Sequence, residues 1–123
     1  MKIFRFLILI SLFFACHTQA KWLSAGGDNG ISYWYEVIEK KKNIVDVWIL
    51  INLPIKNKYG DRSALGKSRL NCNTLTQKTL SNYSYSQPMG QGNPRSSNTK
   101  PDKTFIKIPE YSYQMTIAKR VCK

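Results

Sequence analysis

From residue 44 to residue 53 every odd position is apolar, with Val45, Val47, Ile49, Ile51 and Leu53, while the even positions mix Asp46, Trp48, Leu50 and Asn52. Side chains alternate across a β-strand, so this period of two predicts a strand with one face on a core. Pro54 ends it, because a proline has no N–H to give to a ladder. Residues 31–38 form a second strand rich in aromatic and β-branched residues, with Ile31, Tyr33, Tyr35 and Val37 on one face. The charged residues 39–43 between the two predict a hairpin turn.

The remaining pattern is weaker. Residues 21–25 read as a short first strand before the turn-rich 26–30, and residues 56–66 as a basic loop. Residues 67–74 alternate again, with Ser68, Leu70, Cys72 and Thr74 opposite Lys67, Arg69 and Asn71. Residues 75–85 predict another strand. Residues 86–101 contain Pro88, Pro94 and Pro101, two glycines and no acid, the composition of a long surface loop. Residues 104–108 predict a last strand. From Pro109 onward the period changes. Tyr111, Met115, Ala118 and Cys122 recur at three- and four-residue spacing, with Glu110 early and Lys119 and Arg120 late. That predicts a helix through Cys122 whose apolar stripe lies on the sheet. The expected fold is α+β, a mainly antiparallel sheet of five to six strands with one C-terminal helix packed on a face.

The first twenty of the 123 residues do not fit that scheme. Lys2 and Arg5 precede an apolar run from Phe6 to Ala15, with no acid. This is the layout of a secretory signal peptide cut after Ala20, and the run is shorter than the roughly 20 apolar residues a spanning helix needs. The expected organisation is a leader at 1–20 and one domain at 21–123. Loss of Lys2 and Arg5 lowers the formal charge from +12 to +10. A second processing route is open. Phe13-Phe14-Ala15-Cys16 resembles a lipoprotein box, and lipidation at Cys16 would anchor the chain to a membrane.

Cleavage after Ala20 removes Cys16 and leaves Cys72 and Cys122 as an even pair, which suits an oxidising compartment. A bridge between them closes a loop of about 50 residues and stabilises by roughly 4 kcal/mol in the chain-entropy account. His17 lies in or beside the leader, so the domain has no histidine for acid–base or metal work. The seven acids, Asp28, Glu36, Glu39, Asp46, Asp61, Asp102 and Glu110, are scattered. An enzyme, a metal site, a cofactor and a small-molecule substrate are therefore not expected.

Two segments carry a family resemblance. GKSRLNCNTLTQKTLSNYSYSQPMGQG at 66–92 and KTFIKIPEYSYQMTIAKRVC at 103–122 place a strand ending in Leu-Asn-Cys before a Gly-Gln-Gly element. A strand, a proline and a helix ending in Cys follow. With Trp22 and the Val45-x-Val47-Trp48 strand, this set resembles the surface-adhesin protein E family of Gram-negative bacteria. The resemblance implies the sheet-plus-helix fold, the Cys72–Cys122 bridge, and export to the periplasm or outer-membrane surface. It also implies vitronectin, laminin and plasminogen as ligands and a ligand-binding stretch in the place of residues 50–72. On that reading Lys56, Lys58, Arg62, Lys67 and Arg69 are the candidate contacts.

Charge points the same way. Those five cations share their stretch with one acid, Asp61, and clustered Lys and Arg draw in polyanions in a salt-dependent manner. The expected partner is an extracellular protein or polyanion, with a homodimer as a further expectation. Lys123 offers a C-terminal lysine to a lysine-binding kringle. The alternatives are nucleic-acid binding, with Trp34, Trp48 and Tyr83 as stacking candidates, or a purely structural envelope role. Asn82-Tyr83-Ser84 also matches a glycosylation triplet.

Overall fold

Strand pairing follows chain order because each strand is joined to the next by a short turn or loop, the arrangement antiparallel ladders favour. A computed structural model describes residues 22–123; the leader, with Cys16 and His17, lies outside the described residues. The strands are β1 (Leu23–Asp28), β2 (Ile31–Lys41), β3 (Ile44–Asn52), β4 (Ser63–Asn71), β5 (Thr76–Tyr85), β6 (Ser96–Asn98) and β7 (Ile106–Lys107), followed by the helix α1 (Tyr113–Val121). They form one antiparallel sheet in the order β1-β2-β3-β4-β5-β6, and β7 also pairs with β5.

The alternation in β3 decides which face is inside. Val45, Val47 and Ile49 are buried, and across β4 they face Leu70, Ser68 and Gly66. Helix α1 lays Met115, Ile117, Ala118 and Val121 onto this face, joined in one core by Ala25, Tyr35 and Ile108. Tyr33 stacks on Tyr113 with ring centroids 4.1 Å apart. The helix C-terminus is held by covalent and polar ties. Cys122 is bridged to Cys72, and the Lys40 ammonium donates to the carbonyls of Val121 at 2.9 Å and Lys123 at 2.8 Å. A helix leaves its last carbonyls unpaired at the negative end of its dipole, and a cation satisfies both demands. Arg120 donates to the Ser24 carbonyl.

Several boundaries differ from the sequence expectation. The helix starts at Tyr113 rather than Pro109, because the Ser112 hydroxyl accepts from the Met115 N–H at 3.2 Å as an N-cap. Tyr111 therefore precedes the helix and is 98% exposed instead of facing the sheet. The predicted loop at 56–66 ends early. Ser63, Ala64, Leu65 and Gly66 already belong to β4, because they pair with Asn52, Ile51, Leu50 and Ile49. The strand expected at 104–108 shrinks to Ile106–Lys107.

The stretch 86–101 is not only loop. It contains β6 and a tight turn at Pro88–Gly90. The turn is pinned from below: the Ser63 hydroxyl donates to the Gln87 carbonyl at 2.6 Å and accepts from the Gly90 N–H at 2.9 Å, while the Asn52 carboxamide accepts from the Met89 N–H at 2.8 Å. The turn crosses Leu50, which is fully buried although it sits on the face opposite the helix. At the other edge, β1 carries a bulge between Ser24 and Gly27. A Cβ on Gly27 would stand 2.5 Å from the Ile31 carbonyl oxygen, so only glycine fits there.

Candidate binding surface

The face opposite α1 is assembled from the outward positions of β2 to β5. Directly paired residues on antiparallel strands share a face, and the register runs Trp34, Leu50, Leu65, Tyr83 in one row and Glu36, Trp48, Lys67, Ser81 in the next. The three aromatic candidates, Trp34, Trp48 and Tyr83, therefore lie on one face. The rings of Trp48 and Tyr83 are 6.3 Å apart at 49°, and the Lys67 ammonium sits 6.0 Å from the Trp48 centroid, at the limit of a cation–π contact. The Trp34 indole N–H donates to the Ser32 hydroxyl at 3.0 Å.

The third row contains Asp46, Arg69 and Lys78. Arg69 forks onto Asp46, with Nε to Oδ1 at 2.8 Å and Nη2 to Oδ2 at 3.0 Å. The Arg69 hydrogen bonds hold the Asp46 carboxyl below its ordinary range against the opposing effect of burial, with help from the charges of Arg69 and Lys67. The same bonds push the Arg69 guanidinium up. This is the bidentate geometry that guanidinium and carboxylate favour, and it leaves Arg69 with its charge compensated inside the protein.

The other candidate cations divide by what they touch. Arg62 donates through Nε to the Leu53 carbonyl at 2.7 Å and through its backbone N–H to Tyr85 at 2.7 Å, so it closes the 53–62 loop on the sheet. Lys56 and Lys58 project from that loop, with Lys58 5.0 Å over the Tyr59 ring. The loop is internally built. The Asn57 side chain accepts from the N–H groups of Tyr59 and Asp61, both at 2.9 Å, and Asp61 takes Arg95 at 2.7 Å, whose hydrogen bond lowers the Asp61 pKa. Among the described residues, Lys56, Lys58 and Lys67 have no carboxylate within ion-pair distance.

The six candidate residues do not form one cluster. Lys56 and Lys58 stand at the end of the sheet where β3 stops; Lys67 lies partway down the open face. Lys123 is at the opposite end, where its carbonyl is held by Lys40. Sequence reasoning had no signal for a second feature, a groove of about 270 Å³ beside α1 on the inner face. It lies over Ala64, Gly66 and Ser68, small residues whose spacing of two is the one hint in the chain. Among the described residues no three His, Cys, Asp or Glu side chains are grouped to hold a metal ion, and no helix is long and apolar enough to cross a membrane.

The family model described as surface-adhesin protein E matches residues 22–123. No curated protein and no solved structure matches the chain.

Proposed function

The chain belongs to the surface-adhesin protein E family, and from that premise we propose that it is an exported, non-enzymatic binding module that engages extracellular proteins or polyanions through Lys56, Lys58 and Lys67. The family supports an adhesin-like role at the cell surface. The observation that carries the finer reading is the division among the cations. Arg69 and Arg62 are spent on Asp46 and Leu53, while Lys58 and Lys67 lie beside Tyr59 and Trp48, and none of Lys56, Lys58 and Lys67 has a carboxylate within ion-pair distance among the described residues. An ammonium with no internal counter-charge is the one available to a ligand's sulfate, phosphate or carboxylate. Cleavage after Ala20 would release this domain to the periplasm or the outer surface; the alternative processing, which keeps and lipidates Cys16, would anchor it there. Vitronectin, laminin and plasminogen are the ligands to try first, with Lys123 as the separate candidate for plasminogen.

The deciding experiment replaces Lys56, Lys58 and Lys67 together by Gln and measures binding to immobilised heparin and to vitronectin at two salt concentrations. A loss of about tenfold or more, with a shallower salt dependence, is expected. Unchanged binding to both overturns the reading.

The shared face of Trp34, Trp48 and Tyr83 favours a second reading, single-stranded nucleic acid stacked on those rings. In that case Trp48→Ala would weaken binding to an unstructured oligonucleotide more than binding to heparin.

A further inference from the structure

The second feature of the molecule lies on the sheet face opposite Lys67. Helix α1 packs towards β1 and β2 and leaves the inner surface of β4 and β5 uncovered. The inward positions there are Ala64, Gly66 and Ser68, so the sheet surface drops into a groove of about 270 Å³, walled by Ile49 and Ile51 and by Tyr113 and Gln114 at the start of α1. We propose that this groove is a binding site for one pyranose ring of an uncharged saccharide.

Its polar lining carries the argument. The carboxamides of Gln77, Asn82 and Gln114 and the hydroxyls of Ser68 and Ser84 border the groove. Among the described residues none of these side chains has a hydrogen-bond partner, although neighbours such as Asp102 do. Asn82 is placed over the floor, its Oδ1 3.3 Å from where a Cβ on Gly66 would be. The rim is fixed because Asp102 exchanges backbone and side-chain bonds with Thr79, at 2.8 and 3.3 Å. Carboxamides and hydroxyls offer donors and acceptors side by side, the complement of vicinal hydroxyl groups. The isoleucines and Tyr113 offer apolar surface for the C–H face of a sugar ring.

Charge and shape exclude the other occupants. In a chain of formal charge +12 this lining has one acid, Asp102, and one cation, Lys78, whose ammonium lies over Phe105 at 4.9 Å. A polyanion gains nothing here. An extended peptide would need a free strand edge, but the outer edge of β5 is taken by β6, Asp102 and β7. The volume is at the lower end of ligand pockets, roughly 300 Å³ and up, which fits one ring. A free sugar and the terminal ring of a glycan chain present the same chemistry, and the titration separates them.

The test is an amide NMR titration of the exported protein with methyl β-glucopyranoside, methyl β-galactopyranoside and N-acetylglucosamine, with a heparin disaccharide as the anionic control. At least one neutral sugar should produce saturable millimolar shifts centred on Gly66, Asn82 and Gln114, and the heparin disaccharide should leave them in place. Ala64→Leu, which fills the floor, should reduce the response at least tenfold while heparin binding is kept; Asn82→Ala should do the same without altering packing. Tighter binding of an oligosaccharide ending in the responding ring identifies a glycan chain as the source, and equal binding a free sugar. If no neutral sugar moves those amides, or both variants respond as the parent does, the site is overturned. The heparin result of the lysine variant is independent of this outcome, since none of Lys56, Lys58 and Lys67 lines the groove.

Discussion

Arg69 and Asp46 face each other directly across β4 and β3 and are joined by two parallel hydrogen bonds of 2.8 and 3.0 Å. The pair takes the central cation of the open face out of ligand contact and converts it into a cross-strand tie. A charge-assisted bond is worth about 1.5–3 kcal/mol, but the Arg69 side chain is 38% exposed, and solvent screening reduces the expected contribution to about 1–2 kcal/mol.

Asp46→Asn should therefore lower stability by about 1–2 kcal/mol at neutral pH. The folded pKa of Asp46 is depressed, so this stabilisation is complete above the unfolded value of about 3.9 and is lost as pH falls through the folded pKa. Urea unfolding of both proteins at pH 7 and in strong acid checks this: the two midpoints should converge in acid. A constant gap would contradict it.

Lys67→Gln and Arg69→Gln should behave differently despite their adjacency. Lys67 has no carboxylate within ion-pair distance among the described residues and touches Asp46 only through its charge, so its replacement should stay within about 0.5 kcal/mol of the parent in stability and weaken heparin binding. Arg69→Gln should destabilise by the amount Asp46→Asn does and change heparin binding little once the protein is folded. Thermal melts alongside heparin elution separate the two.

At the helix start, Ser112→Ala should cost about 1 kcal/mol through loss of the N-cap, whereas Tyr111→Ala should be nearly silent because that side chain is almost fully exposed. A large effect at Tyr111 would restore the longer helix that its spacing suggests.

Gly27→Ala should destabilise by about 1–3 kcal/mol, since the added Cβ meets a backbone oxygen that cannot yield without moving the β1–β2 pairing. Chemical unfolding measures it, with Gly60→Ala as a comparison: its Cβ meets nothing within 4 Å, and its cost comes from its positive φ alone.

Removal of the bridge by Cys72→Ser with Cys122→Ser should cost about 4 kcal/mol for a closed loop of about 50 residues. The amides of α1 should lose hydrogen-exchange protection before those of β3.

How much of this was legible follows from how local each cause is. The alternation of Val45, Val47 and Ile49 and the parity of Cys72 and Cys122 are one-dimensional signals, and both survive in the structure. The burial of Leu50 was hidden. It shares its face of the strand with Asp46, Trp48 and Asn52, and what covers it is a turn 38 to 40 residues away, held by Ser63 and Asn52. Strand β6 was hidden because Ser96, Ser97 and Asn98 are all exposed and have no apolar face. The helix start was misplaced because Pro109 and Glu110 are suitable first-turn residues, yet the Ser112 cap competes better. For the binding surface, the five cations of 56–69 look alike in sequence. Which of them is free depends on Asp46 and Leu53, which only the fold brings alongside.

The order of the sheet has a consequence for any chain that emerges N-terminus first. Each of the first six strands finds its partner in the segment that has just emerged, so the sheet can be laid down hairpin by hairpin with no early strand left waiting for a distant mate. The exceptions are α1 and the bridge, whose two sulfurs emerge 50 residues apart. Until α1 arrives, the apolar side of β3 has no cover. The interval between the emergence of Cys72 and that of Cys122 is therefore when this domain is most exposed to proteases and to pairing with a wrong thiol.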